Sequence, residues 1–131
     1  MNTPTASTGN TVSDRYLAGA KNLSAMGGDI NAIAEPLAGI APDLATYVAE
    51  FAFGDIYGRP GLDLKTRQLI TIAALTTLGD TERQLKFHIR AARRIGVTTV
   101  EITEVIIHML PFAGNPRVFN AMLAAKDALN E

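Results

Sequence analysis

The chain has 131 residues, of which 47% are hydrophobic and 19% charged, and its formal net charge is -1. That is enough for one compact, foldable domain, and too balanced a charge to draw nucleic acid or an anionic membrane. Cysteine and tryptophan are absent, which removes disulfides, thiolate metal sites, thiol nucleophiles, dithiol redox chemistry and a tryptophan stacking surface together.

Residues 1 to about 12 are rich in Thr, Ser, Gly and Asn, lack periodicity and read as a flexible tail. They carry no apolar signal core, and no run approaches membrane-spanning length, so the expected location is the cytoplasm. From 13 to 131 the chain reads as a single helical domain. The first helix is expected from Ser13 to about Met26, stopping at Gly27-Gly28. A second begins near Asp29 and breaks around Pro36. Pro42 opens a third, about 42 to 56, with Leu44, Tyr47, Val48 and Phe51 on one stripe.

"YGRPGLD" (57–63) is a loop. Asp63 then caps "LKTRQLITIAALTTLG", which is apolar almost all round and so is expected to be the central, most buried helix. Thr81 with Gln84 fits a capping box for "ERQLKFHIRAARRIG", which Gly96 ends. Thr98 with Glu101 fits a second box, opening "VEITEVIIHMLPF" with Ile102, Val105, Ile106 and Met109 as its core stripe. Asn115 and Pro116 read as cap and first-turn proline of the last helix, to about 130. No strand-like alternation occurs. The fold class is all-α, with six or seven helices, and helices this apolar point to burial against other subunits.

Only two histidines are present, so a His-rich metal site within one subunit has no basis. His88 falls at helical spacing with Leu85, Ile89, Ala92 and Ile95, on the apolar side of a basic helix. It is either a core imidazole bonded to a backbone carbonyl or a general acid–base beside a pocket. His108 lies four residues after Glu104: either a solvated pair or the lip of a cleft at the helix end. Arg59, Lys65 and Arg67 flank the "GRPGLDLKTR" loop, as solvated charges or as a fork for a substrate carboxylate. Glu50 is a surface acid or a buried one of raised pKa. No phosphate loop, dinucleotide glycine pattern, zinc helix motif or nucleophile elbow is present.

"FGDIYGRPGLDLKTRQLI", the spacing of His88, Ala92 and Gly96 in "HIRAARRIG", and "EITEVIIHMLPFAGNP" occur in order. Together they resemble the carboxymuconolactone decarboxylase family, within the alkylhydroperoxidase D-like fold group. The likeness covers about residues 40 to 128. It implies an all-helical protomer built on an antiparallel helix pair, assembled as a homotrimer or homohexamer with active sites between subunits. In the redox branch a Cys-x-x-Cys pair precedes the histidine; those places hold Thr81 and Gln84 here, and the relay acid is replaced by Gln68. Peroxide reduction by thiols is therefore not available. The family often has an aromatic-Cys/Ala-Gly-aromatic/Val-Pro stretch where this chain reads "PFAGNP", so Pro111 and Asn115 alter the pocket rim.

The resemblance implies decarboxylation of a small carboxylated unsaturated lactone or related oxoacid. Such a substrate is its own electron sink, so no cofactor is needed. The expected roles are His88 as proton donor, His108 or Glu50 completing the relay, and Arg67 as carboxylate clamp with Arg59 and Arg90 behind it. Two other readings stay open: an isomerase, cyclase or hydrolase on the same scaffold, and a non-catalytic oligomer that binds a ligand.

Overall fold

A computed structural model describes residues 11–131, and every regular element among them is helical. The tail expected over 1–12 lies almost wholly outside the described residues. The chain forms two compact units, one ending at Gly61 and one running from Leu62 to Glu131, and each is taken by itself. No helix among the described residues is long and apolar enough to cross a membrane.

In the first unit, α1 (Asp14–Ala25) is opened by Ser13, whose side chain accepts from the Tyr16 amide at 3.0 Å. α2 (Ile30–Ala34) is capped by Asp29 and tightens into a 3-10 turn, Glu35–Leu37, where Pro36 sits. α3 runs as an α-helix over Pro42–Tyr47 and continues, wound wider, as a π-helix over Val48–Ile56.

Two glycines let α1 and α3 meet backbone to backbone. A Cβ on Gly19 would lie 1.8 Å from the Ala49 carbonyl oxygen, and one on Gly54 would lie 2.7 Å from that of Arg15. Asn22 Nδ2 donates to the Phe53 carbonyl at 2.7 Å, and Arg15 forks onto Asp55. This closeness corrects the expected stripe. Tyr47 and Phe51 are 64% and 60% exposed and Leu44 is exposed too, while Ala45, Ala49 and Phe53 are buried. With α1 at backbone distance from Ala49, small residues occupy the closest approach; Phe53 is the one aromatic of α3 that is buried, and Leu44, Tyr47 and Phe51 turn outward.

In the second unit, α4 (Leu64–Leu78) is capped by Asp63, which accepts from the Thr66 amide at 2.8 Å. α5 (Glu82–Arg94) ends at Gly96, whose φ of +95° suits glycine. α6 (Thr99–His108) is followed by a one-turn helix, α7 (Leu110–Ala113), and by α8 (Asn115–Leu129). α5 packs on α8 and α4, and α6 on α4 and α8. The core combines Ile72, Leu85, Ile89, Ile102 and Ile106 with alanines of α8. Ile102 and Ile106 are buried as expected, with Val105 and Met109 partly buried against them.

Three expectations are corrected here. α4 is not the most buried helix: it buries Gln68, Ile72 and Thr76, while Ile70 is 52% and Leu78 66% exposed. The Thr98–Glu101 capping box forms in both directions, but the Thr81–Gln84 box does not. The Thr81 hydroxyl donates instead to the Leu75 carbonyl at 2.7 Å, because the link from α4 to α5 is so short that the end of α4 is its nearest acceptor. Asn115 is the first residue of α8 rather than its cap. Gly114, at φ +90°, takes the cap position because α7 must turn sharply into α8.

Candidate functional site

α5 carries its charges on every side but one. Leu85, Ile89 and Ala92 dry out the remaining side, and His88 rides at its edge, half-buried. Its Nδ1 lies 2.9 Å from Oε1 of Gln68, so the ring bridges α5 to α4. The Phe87 ring meets the imidazole edge-on, with centroids 4.9 Å apart and planes at 81°. Burial pushes the imidazole down to about 4 from its ordinary 6.5, because the charged form loses water. The ring is therefore neutral at pH 7. The partner of Nδ1 is a side chain, where the bland expectation was a main-chain carbonyl.

Arg67 immediately precedes Gln68 on the first turn of α4 and is half-buried. Arg90, on the exposed side of α5, is held by both carboxylate oxygens of Glu131, at 2.5 Å each. That charge is already paired. His108 is exposed at the end of α6, its ring 5.9 Å from that of Phe112. With Glu104 it borders an apolar groove of about 540 Å³, whose other walls are Leu69, Ile70, Ala73 and Met109 among others. A second cleft, of about 550 Å³, lies where the end of α4 and the starts of α5 and α8 converge, beside Asp80, Glu82 and Arg117. His88 lines neither of these two.

The remaining candidates belong to the first unit. Glu50, on the π-helical part of α3, is half-buried and accepts a hydrogen bond from the Ser13 hydroxyl. Arg59 is exposed in the loop after α3. Within the second unit the structure brings His88 and Gln68 together, with Arg67 next along the chain. His108 stands apart on the groove. Gln68, which is neither an acid nor a base and stands in the sequence only as the replacement for a relay acid, is the further residue of this site. The available signal was its spacing: a polar residue at i, with Ile72 and Thr76 at i+4 and i+8 of an otherwise apolar helix.

The described residues thus form a helical scaffold that holds the His88 imidazole against a buried amide, in a chain without thiols. The chain belongs to the carboxymuconolactone decarboxylase family, whose model matches residues 42–127. It is 37% identical over 102 residues to the 4-carboxymuconolactone decarboxylase of Acinetobacter baylyi, covering 78% of this chain and 75% of that one. A 15.0 kDa protein of Paracoccus denitrificans is 38% identical over 93 residues, 70% and 69% of the two chains. The nitrosuccinic acid decarboxylase of Metarhizium robertsii is 34% identical over 85 residues, 64% and 58%. Membership makes the chain a decarboxylase-like enzyme. With no cysteine, it is not a thiol peroxidase.

Proposed function

We propose that the chain is a cofactor-free decarboxylase for a small carboxylated unsaturated lactone or related oxoacid, with His88 moving the proton. The observation that carries this reading is the neutral imidazole held across α4 and α5 by Gln68, in a chain with two relatives named as decarboxylases. The names of those relatives' substrates share a carboxylate near an electron-withdrawing group, a lactone in one and a nitro group in the other. The electrons left behind by CO2 then have a sink inside the substrate itself.

The step balances as follows. The substrate carboxylate leaves as CO2, and the electron pair of the broken carbon–carbon bond moves through the double bond onto the lactone carbonyl. The resulting enolate takes a proton onto carbon from the His88 imidazolium, and the ring recovers one proton from water. A bound carboxylate favours loading that proton, since a nearby anion offsets the burial that keeps the free ring neutral. Arg67 is the proposed clamp, with Arg59 second. Arg90 can serve only when its pair with Glu131 opens. Glu50 and His108 are the proposed further members of the relay. Homotrimeric or homohexameric assembly in the cytoplasm belongs to the same reading; the exposed Ile70, Ile107 and Phe112 support burial against other copies.

His88→Gln should lower turnover of 4-carboxymuconolactone, followed by ultraviolet absorbance, by roughly a hundredfold or more with the helical circular dichroism unchanged. Turnover within a few-fold of the parent would sink the proposal. The groove that holds His108 and Glu104 supports a second reading, an isomerase, cyclase or hydrolase using that pair. It predicts that His108→Gln, and not His88→Gln, removes activity.

A further inference from the structure

Among the described residues the buried polar side chains are Gln68 and Thr76. Thr76 is accounted for within its own helix, since its hydroxyl donates to the Ile72 carbonyl at 2.8 Å. Gln68 is different. It is 0% exposed, yet it reaches across to the neighbouring helix and places Oε1 on His88 Nδ1. Burying an amide beside an apolar core is unfavourable unless its polar atoms are bonded. A leucine at this place would pack without that requirement.

The chemistry of the contact determines the state of the ring. An amide oxygen accepts and cannot donate, so the proton of this bond belongs to Nδ1. A neutral imidazole has one N–H, which leaves the lone pair on Nε2. In water the neutral ring prefers the opposite arrangement, with the proton on Nε2. The amide is also uncharged. A carboxylate in its place would hold the ring as imidazolium and make it reluctant to release a proton.

We propose that Gln68 is a positioning residue: its side-chain oxygen keeps one proton on His88 Nδ1, so that Nε2 is the nitrogen that takes up and delivers the proton. In each cycle Nε2 gains a proton from water and passes it to substrate carbon, while the Nδ1 proton stays on the amide oxygen throughout. The catalytic part of this inference rests on the decarboxylase reading of His88; the location of the proton does not.

The test uses the full chain labelled with 15N-histidine. Two-bond nitrogen–proton correlation spectra are recorded at neutral pH, and His88 is assigned by the signals lost in His88→Gln. The parent should show a protonated Nδ1 and an unprotonated Nε2. Gln68→Leu should move the proton to Nε2 and lower kcat by roughly tenfold or more, with KM little changed. Gln68→Glu, which keeps the size and the bond, should raise the ring's titration midpoint by about one unit or more and shift the pH–rate profile with it. A parent ring protonated on Nε2, or a Gln68→Leu spectrum identical to the parent's, overturns the proposal. If the proton moves as expected but Gln68→Leu and His88→Gln both turn over like the parent, the placement of the proton stands and the decarboxylase reading of His88 fails.

Discussion

α4 and α5 pack against each other, and their sequences and burial run in opposite senses. α4, "LKTRQLITIAALTTL", looks like the helix that belongs in the middle of a core. α5, "ERQLKFHIRAARR", looks like a surface helix. Yet α5 buries Leu85, Ile89, Ala91 and Ala92, whereas α4 buries one aliphatic side chain, Ile72, between two polar ones. Abundance of apolar residues does not decide burial; their angular concentration does. The charges of α5 exclude every face but one. α4 has apolar residues at all angles, so its own sequence expresses no preference, and its neighbours select the line through Gln68, Ile72 and Thr76.

The contrast can be broken by truncation. Ile89→Ala on the charged helix should cost about 2–5 kcal/mol in urea unfolding, the range for emptying a fully buried aliphatic site. Leu78→Ala on the apolar helix, 66% exposed, should change stability by about 0.5 kcal/mol or less. If the two cost the same, the outer face of α4 is covered in solution, and light scattering should then report an oligomer.

pH sharpens the same contrast at the bond that joins the two helices. His88 titrates at about 4 when folded and at 6.5 ordinarily, so between those values the unfolded chain binds more protons. Its contribution therefore destabilises the fold as pH falls from 6.5 to 4, by at most about 3 kcal/mol, and vanishes above that window. Subtracting the stability–pH curve of His88→Gln from that of the parent should isolate this slope. A flat difference between pH 4 and 6.5 would mean that the ring is solvated.

The smallest expected effects lie at the helix starts. Asp63→Ala removes the side-chain cap of α4 and should lower the melting temperature by roughly 3–6 °C. Thr81→Ala should lower it by less, since Thr81 makes no cap bond to α5. Because hydrogen bonds from Thr66 hold the Asp63 carboxyl below its usual range, this cap helps above the ordinary carboxylate pKa. Its help is lost as pH drops through the lowered folded value.

Much of the helical layout is a local property and was legible in the residues. Prolines at 36 and 42, the Asp63 and Thr98 caps and Gly96 mark boundaries that the structure keeps, because each acts on backbone groups within a few residues. The amphipathic face of α5 was legible for the same reason. The Thr81–Gln84 pair has the same pattern as Thr98–Glu101, and only one of them closes. That choice depends on the Leu75 carbonyl, an acceptor supplied by another helix. The stripe of Tyr47 and Phe51 was misread because a glycine-sized gap against α1 cannot be seen from α3 alone.

The candidate site divides in the same way. The absence of thiols, the imidazole on a dry helix face and the family motifs are fixed by the order of residues alone. The partner of that imidazole is not, because Gln68 lies twenty positions away on a helix with no preferred face. Only the packing of α4 on α5 chose which side of α4 would turn inward, and with it which residue would meet the ring. Periodicity determines what a helix can bury; the helix facing it determines which of those residues it does bury.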